Sequence, residues 1–449
     1  MSRNNIKRFS LGYQLLYNFA EIYHRFYYRK FKVINRDKIP KKSPVIFAIN
    51  HQNALMDALA IIFAVRSQKV FMARADIFRK KWIARMLYFI KILPAYRIRD
   101  GFHSVDQNKG VFKEVIQVLE HNRHFCILPE GNHFGEKRLR PLQKGAARLA
   151  FLAEEANDFK LGLSIVPVGL DYSNYYTAGS DLLVTFGDPI PVARYRELYI
   201  ENPLLAISQL RDDIGTGLKK VMIDIPSEKH YKTIYSAIEI YGPVEVKRLG
   251  LKNSLRNNFK VKKQLSEEIT AYFLENEAVY QAVHSEIHSY HKKIHDYKIR
   301  DWVVARQGIN PFPWFIESLI TLLLLPVHLY GMILNYLPYG LPIYLARKIK
   351  DRHFLTSIRF VAGMLLFFIW YLLLIIASIF IFHNILLNLA FIISLPVTGI
   401  FSFYYYKHLL KLRGKFRLIM LKFRDRKAYE ELLRQRKKIV LMIEEMLKA

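Results

Sequence analysis

Two apolar runs near the C-terminus, Phe360–Phe382 and Leu386–Tyr406, restrict this chain more than any other feature. About 20 apolar residues cross a bilayer as a helix, so each run is long enough to span. Only His383, Asn384 and Ile385 separate them, which makes them a hairpin. Upstream, Trp314–Leu345 is comparably apolar but is interrupted by Pro326, Pro338, Gly340 and Pro342. Those breakers predict a re-entrant or helical-hairpin path. Arg347, Lys348, Lys350, Asp351, Arg352 and His353 precede the hairpin, and the chain is again dense in Lys and Arg from Lys407. The positive-inside rule puts both stretches on the cytoplasmic side. Trp314–Leu345 must then return to the side it entered from.

The mean hydropathy of +0.05 averages this membrane region, 313–406, with a chain that otherwise patterns as soluble. Residues 30–226 alternate short apolar runs with helical periods. Strands are expected at Phe31–Asn35, Val45–Ile49, Val70–Ala73, Phe125–Leu128, Ser164–Val168 and Leu182–Phe186. Helices are expected at Asp57–Val65, Ile77–Phe89, Gly110–Glu120 and Lys144–Ala156. Such alternation predicts an α/β layer with a largely buried sheet. Residues 1–29 form an amphipathic helix that packs on this domain or lies on a membrane surface. Residues 227–312 are polar and helix-forming, with a basic run of Lys247, Arg248, Lys252, Arg256, Lys260, Lys262 and Lys263. It is either a solvated face or a contact for lipid headgroups. Residues 407–449 form a basic helical tail.

The net charge of +30 comes from 68 Lys and Arg against 38 Asp and Glu. It favours anionic partners. The apolar runs choose lipid headgroups and phosphorylated substrates over nucleic acid, for which no binding module is recognised. The single cysteine, Cys126, allows no intrachain disulfide and no cysteine-based metal site, and fits a reducing compartment. It reads as a core residue. The N-terminal stretch has neither the apolar core nor the cleavage site of a signal peptide.

Four blocks within 30–226 carry chemistry. In Val45-Ile-Phe-Ala-Ile-Asn-His51-Gln-Asn-Ala-Leu-Met-Asp57, a strand ends just before His51 and Asp57 opens a helical pattern. A carboxylate on one ring nitrogen fixes the tautomer and leaves the other as a base. In Ile92-Leu-Pro-Ala-Tyr-Arg97-Ile-Arg99, an apolar run ends in two arginines, and a guanidinium can grip a phosphate bidentately. In Phe125-Cys-Ile-Leu-Pro129-Glu130-Gly131-Asn132-His133, a strand delivers a tight turn around Glu130, and Arg138, Arg140 and Lys144 follow. Ile165-Val-Pro167-Val-Gly169 reads as a wall of the site. Taken separately, these blocks also suit a helix N-cap, exposed arginines and core strands.

In order and spacing, the four blocks resemble the PlsC-type glycerolipid acyltransferase family over about Lys30–Pro191. The family pattern is Asn-His-x4-Asp, an Arg-bearing block, Phe-Pro-Glu-Gly-Thr-Arg, and an apolar block with a central proline. Here five residues separate His51 from Asp57, and the third block reads Leu-Pro-Glu-Gly-Asn-His. Both departures resemble the branch of fungal-type glycerol-3-phosphate acyltransferases and their bacterial relatives, which also have C-terminal membrane segments. The resemblance implies a mixed sheet flanked by helices, with His51 as base, Asp57 as its orienting carboxylate, and Arg97, Glu130 and Gly131 binding the acceptor. Arg138 or Arg140 would supply the arginine that the third block lacks. It further implies acyl transfer from acyl-CoA or acyl carrier protein, as co-substrate and with no other cofactor, to glycerol-3-phosphate or its 1-acyl derivative on the cytoplasmic face of a membrane. A lyso-aminolipid acceptor, a non-catalytic membrane scaffold and a lipid hydrolase are the competing readings. The last lacks a Gly-x-Ser-x-Gly turn.

Overall fold

The computed structural model describes residues 6, 9–96, 102–306, 308–347 and 354–448, with backbone alone at 102–107. The chain divides into two compact units. One comprises residues up to Asp224 together with Phe354–Ser357; the other runs from Ile225 and resumes at Ile358.

The first unit begins with α1 (Leu11–Tyr27), capped by Ser10, whose hydroxyl accepts the Tyr13 amide at 3.2 Å. The helix packs into the unit through Tyr13, Tyr17, Ala20, His24 and Tyr27. There follow β1 (Lys30–Ile34), β2 (Val45–Ile49), α2 (Ala54–Ala64), β3 (Val70–Arg74), α3 (Lys81–Phe89), β4 (Ile92–Ala95), α4 (Phe102–Glu120), β5 (Phe125–Ile127), α5 (Gly145–Glu155), β6 (Ser164–Tyr172), β7 (Asp181–Phe186), β8 (Ile190–Pro191), α6 (Arg196–Glu201) and α7 (Pro203–Val221). The sheet order is β1-β7-β6-β2-β5-β3-β4, with β8 on β6. From β6 to β4 all neighbours are parallel, whereas β7 and β8 pair antiparallel to β6. Strands covered on both faces need apolar side chains in both directions. The central β2 obeys this, with Val45, Ile46, Phe47, Ala48 and Ile49 all inaccessible to solvent.

Helix α7 lies unusually close to β6. A Cβ on Gly169 would sit 1.9 Å from the Val221 carbonyl oxygen, and one on Gly217 would sit 2.5 Å from the Pro167 ring. Pro167 therefore packs under a helix. Cys126 is buried in β5, where burial pushes its thiol up to about 12, so it stays a neutral core side chain.

Several sequence expectations shift. The expected helix over Ile77–Phe89 is a 3-10 turn, Ala75–Arg79, followed by α3. The apolar stretch before Arg97 is itself a strand, β4, which pairs with β3. Its brevity hides it from periodicity.

The second unit is helical. It contains α8 (Tyr231–Arg248), α9 (Leu255–Glu275), α10 (Glu277–Asp296), α11 (Asp301–Val304), α12 (Pro311–Leu323), α13 (Leu325–Ala346), α14 (Leu355–Ile381, from Ile358), α15 (Ile385–Arg424) and α16 (Arg426–Met446). Helices α14 and α15 are each long and apolar enough to cross a membrane, and Asn384 caps the turn between them by accepting the Leu386 and Leu387 amides. Helices α12 and α13 are bent by 52° at their junction, a broken span or a re-entrant turn. Pro338 and Pro342, expected to break this segment, lie inside α13. A proline at position 338 removes the bond to the Leu334 carbonyl. That carbonyl instead accepts the Trp370 indole N–H at 2.7 Å. Helix α15 also continues to Arg424 without a stop at Tyr406, so the expected boundary between membrane region and tail falls inside one helix. In the basic run, Arg248, Lys262 and Lys263 are paired with Glu245, Glu239 and Glu267. The orientation argument used Lys348, Lys350, Asp351, Arg352 and His353, which lie outside the described residues.

Candidate active site

Strands β2, β5 and β6 are parallel neighbours, so their C-terminal ends lie along one edge of the sheet, where ligands gather in α/β folds. Each end leads into polar residues. After β2, the Asn50 amide mimics a strand: its oxygen accepts the Leu170 N–H at 2.7 Å and its nitrogen donates to the Leu170 carbonyl at 3.2 Å. This fixes the point where the chain leaves the sheet, and His51 follows.

His51 Nδ1 lies 2.9 Å from Asp57 Oδ2. An ionised carboxylate only accepts, so Nδ1 carries the proton and Nε2 is the basic nitrogen. The same Oδ2 accepts the backbone N–H groups of Gln52 and Asn53, each at 2.7 Å. Asp57 Oδ1 accepts the Tyr172 hydroxyl at 2.8 Å. Asp57 is 0% exposed. A buried charge is tolerable only with such a full set of donors. The six-residue step from His51 to Asp57 is absorbed at Ala54, whose φ of +44 is left-handed. This reversal costs roughly 1–3 kcal/mol for a non-glycine residue and lets α2 start with Asp57 turned back toward the ring.

The β5 end supplies the second carboxylate. Leu128-Pro129-Glu130-Gly131 forms a tight turn closed by Gly131 N–H to the Leu128 carbonyl at 3.1 Å, and Gly131 has φ +73. Glu130 Oε1 accepts the His51 amide at 2.7 Å and Oε2 the Arg140 amide at 3.1 Å. Glu130 thus ties the base to the loop that follows. Burial raises its carboxyl to about 7, against the pull of those two amides. The loop is also held by Phe134 N–H to the His51 carbonyl at 3.1 Å. The guanidinium carbons of Arg138 and Arg140 lie 5.3 and 5.7 Å from the Phe134 ring centre, a cation–π arrangement for both.

Of the residues singled out from sequence, His51, Asp57, Glu130 and Gly131 converge, with Arg138 and Arg140 on the adjoining loop. Arg97 lies outside the described residues. Tyr172 escaped the sequence reading, although a Tyr following Asp171 at the end of an apolar strand was a usable signal. Burial, then the Asp57 charge, keeps its hydroxyl protonated as a donor. His133 closes the third block but was given no role from sequence: its ring stands edge-on to His51, with centres 5.4 Å apart.

An acyltransferase family model matches residues 30–171. Glycerol-3-phosphate O-acyltransferase 1 of Saccharomyces cerevisiae is 25% identical over 209 residues, which is 46% of this chain and 26% of that protein. The 1-acyl-sn-glycerol-3-phosphate acyltransferase of Bacillus subtilis is 27% identical over 120 residues, 26% of this chain and 55% of that one. The chain thus spans about a quarter of the yeast relative and about half of the bacterial one. Among solved structures, the 1-acyl-sn-glycerophosphate acyltransferase PlsC of Thermotoga maritima matches with a TM-score of 0.28 and 15% identity, covering 42% of this chain and 78% of that one.

Proposed function

We propose, on the premise that residues 30–171 are an acyltransferase-family domain, that this protein transfers a fatty acyl group from a thioester donor to the hydroxyl of a glycerol-phosphate acceptor. The observation that carries the proposal is the His51 Nδ1–Asp57 Oδ2 bond of 2.9 Å at the strand ends. Nε2 of His51 takes the proton of the acceptor hydroxyl as its oxygen attacks the thioester carbonyl. Asp57 stabilises the imidazolium that forms. Collapse of the tetrahedral adduct expels the thiolate, which takes the proton back from Nε2. Base assistance of this kind contributes roughly two to four orders of magnitude in rate, and positioning supplies much of the remainder.

Glu130 and Gly131 hold the loop in register with His51. Arg97, Arg138 and Arg140 bind the acceptor phosphate in this reading, and the acyl donor, acyl-CoA or acyl carrier protein, is a co-substrate with no further cofactor. The acceptor is glycerol-3-phosphate or its 1-acyl derivative, and the site faces the cytoplasm. The acyl chain of the product partitions into the bilayer at about 0.8 kcal/mol for each buried methylene, and the apolar helices keep the protein beside it.

The test is lipid mass spectrometry after incubating the purified full chain in detergent with each donor and each acceptor. Lysophosphatidate or phosphatidate is the expected product. Acylation of a lyso-aminolipid alone would replace the acceptor. Free fatty acid formed without an acceptor, or no product from any pair, would overturn the reading.

A further inference from the structure

Helix α14 is apolar along most of its length, yet its first turn holds two buried polar residues, Thr356 at 2% and Ser357 at 4% exposure. A buried hydroxyl without a partner is costly. Both have partners, and both partners belong to the catalytic loops.

Helix α2, which presents Asp57, has no side-chain cap of its own at Asn53. Asn53 instead donates its amide to the Tyr175 carbonyl at 3.1 Å. The first-turn N–H of Leu55 would be an orphan. It donates to Ser357 Oγ at 3.2 Å, across 302 residues of sequence. Thr356 Oγ1 donates to the same Tyr175 carbonyl at 2.7 Å, and the Tyr175 hydroxyl donates to Gln52 Oε1 at 2.8 Å. The turn Gln52-Asn53, whose amides hold Asp57, is thus gripped from outside. Phe354 completes the arrangement. Its ring is edge-on to His133 at 4.9 Å between centres, and His133 is in turn edge-on to His51.

We infer that Phe354, Thr356 and Ser357 are positioning residues of the active site, a clamp that caps α2 from a distant part of the chain and backs the His51 ring through His133. The base and its carboxylate are therefore held by residues that lead directly into the apolar run beginning at Phe360. The inference rests on the acyl-transfer reading, and none of the three residues needs to touch substrate.

The full-length protein in detergent tests it, with kcat and KM measured for donor and acceptor in wild type, His51→Ala, Phe354→Ala, Ser357→Ala, and the conservative Phe354→Tyr and Ser357→Thr. A helix cap is worth about a factor of ten, and misplacing a catalytic group by about 1 Å about a hundred. Phe354→Ala and Ser357→Ala are expected to lower kcat about tenfold, leave both KM values within about twofold, and regain most of the rate in the conservative forms. Unchanged kcat in both alanine variants would overturn the clamp. So would a loss that follows the fraction of folded protein in thermal melts, or one carried by KM. With active wild type and inactive His51→Ala, such results remove the clamp alone. A wild type inert toward every donor and acceptor removes the functional reading, and the clamp with it.

Discussion

The sheet unit and the long apolar helices of the second unit bury opposite kinds of side chain. In the sheet unit the interior is aliphatic and aromatic, and polar groups concentrate at the strand ends, where Asp57, Glu130 and Tyr172 are hydrogen-bonded. In the helical unit large apolar side chains of the long helices point outward, with Phe380 78% and Ile385 72% exposed. Between these helices small and polar residues are buried, whereas α8–α10 and α16 of the same unit bury aliphatic and aromatic side chains such as Ile238, Phe273 and Ile439. Asn335 donates to the Gly331 carbonyl at 2.8 Å and accepts the Tyr371 hydroxyl at 2.6 Å, and Ser402 donates to the His328 carbonyl at 3.0 Å. Helices α13 and α15 approach so closely that a Cβ on Gly331 would lie 2.3 Å from the Thr398 carbonyl oxygen. The difference is the one expected between a core formed in water and helices long and apolar enough to cross a membrane. Water drives apolar groups inward, whereas between helices in lipid the contact rests on close packing and a few polar bonds. Buried polar groups accordingly gather at the strand ends of the sheet unit and join helices among α12–α15.

The largest expected effect comes from breaking the chemical arrangement. Asp57→Asn cannot stabilise an imidazolium and presents a donor where donors already converge. A fall in kcat of about 10⁴ is expected, with the equivalent exchange in a serine protease triad as the guide. Steady-state acyl transfer at matched folded protein checks it. The counterpart in the helical unit is Gly331→Leu, which forces α13 off α15. Overpacking of this kind costs about 1–3 kcal/mol or more, and thermal melting in detergent should register it. If instead the melt is unchanged, the close-packed account of that unit fails.

Both expectations stem from how differently the two units can be read from sequence. The buried strands and the apolar hairpin were legible because each sets a pattern over many residues. His51, Glu130 and Gly131 stand just past apolar strands and Asp57 opens a helical pattern, but they were picked out together because four blocks in this order and spacing resemble one acyltransferase family. Tyr172 and the Ser357 cap were not. Each works through a contact that joins residues 115 and 302 positions apart, and no local period encodes that. Pro338 misled for a related reason: the partner of its freed carbonyl, Trp370, lies in another helix.

A smaller effect separates burial from bonding at Glu130. Its carboxyl is raised from 4.5 to about 7, so the folded state holds this proton more tightly than the unfolded chain does. The stability it supports is therefore fully present below about 4.5 and is lost as pH rises toward about 7. Glu130→Gln does not titrate. Relative to wild type it should gain on the order of 1–3 kcal/mol between pH 4.5 and 8, read from chemical denaturation at several pH values. A difference that does not vary with pH would mean that the amides of His51 and Arg140 fully offset the burial. The smallest effect is expected from Tyr172→Phe, which removes one bond to Asp57 and keeps the ring. About 1 kcal/mol, or about a fivefold fall in kcat with KM unchanged, is the expected outcome of the same kinetic assay.

The central claim is that His51 Nε2 removes the acceptor proton during acyl transfer. Single-turnover acyl transfer by wild type and His51→Ala, each saturated with donor and acceptor and matched for folded protein, tests it most directly. The account predicts a rate lower by about two to four orders of magnitude in His51→Ala, with the donor still bound. Equal single-turnover rates in the two proteins would contradict it.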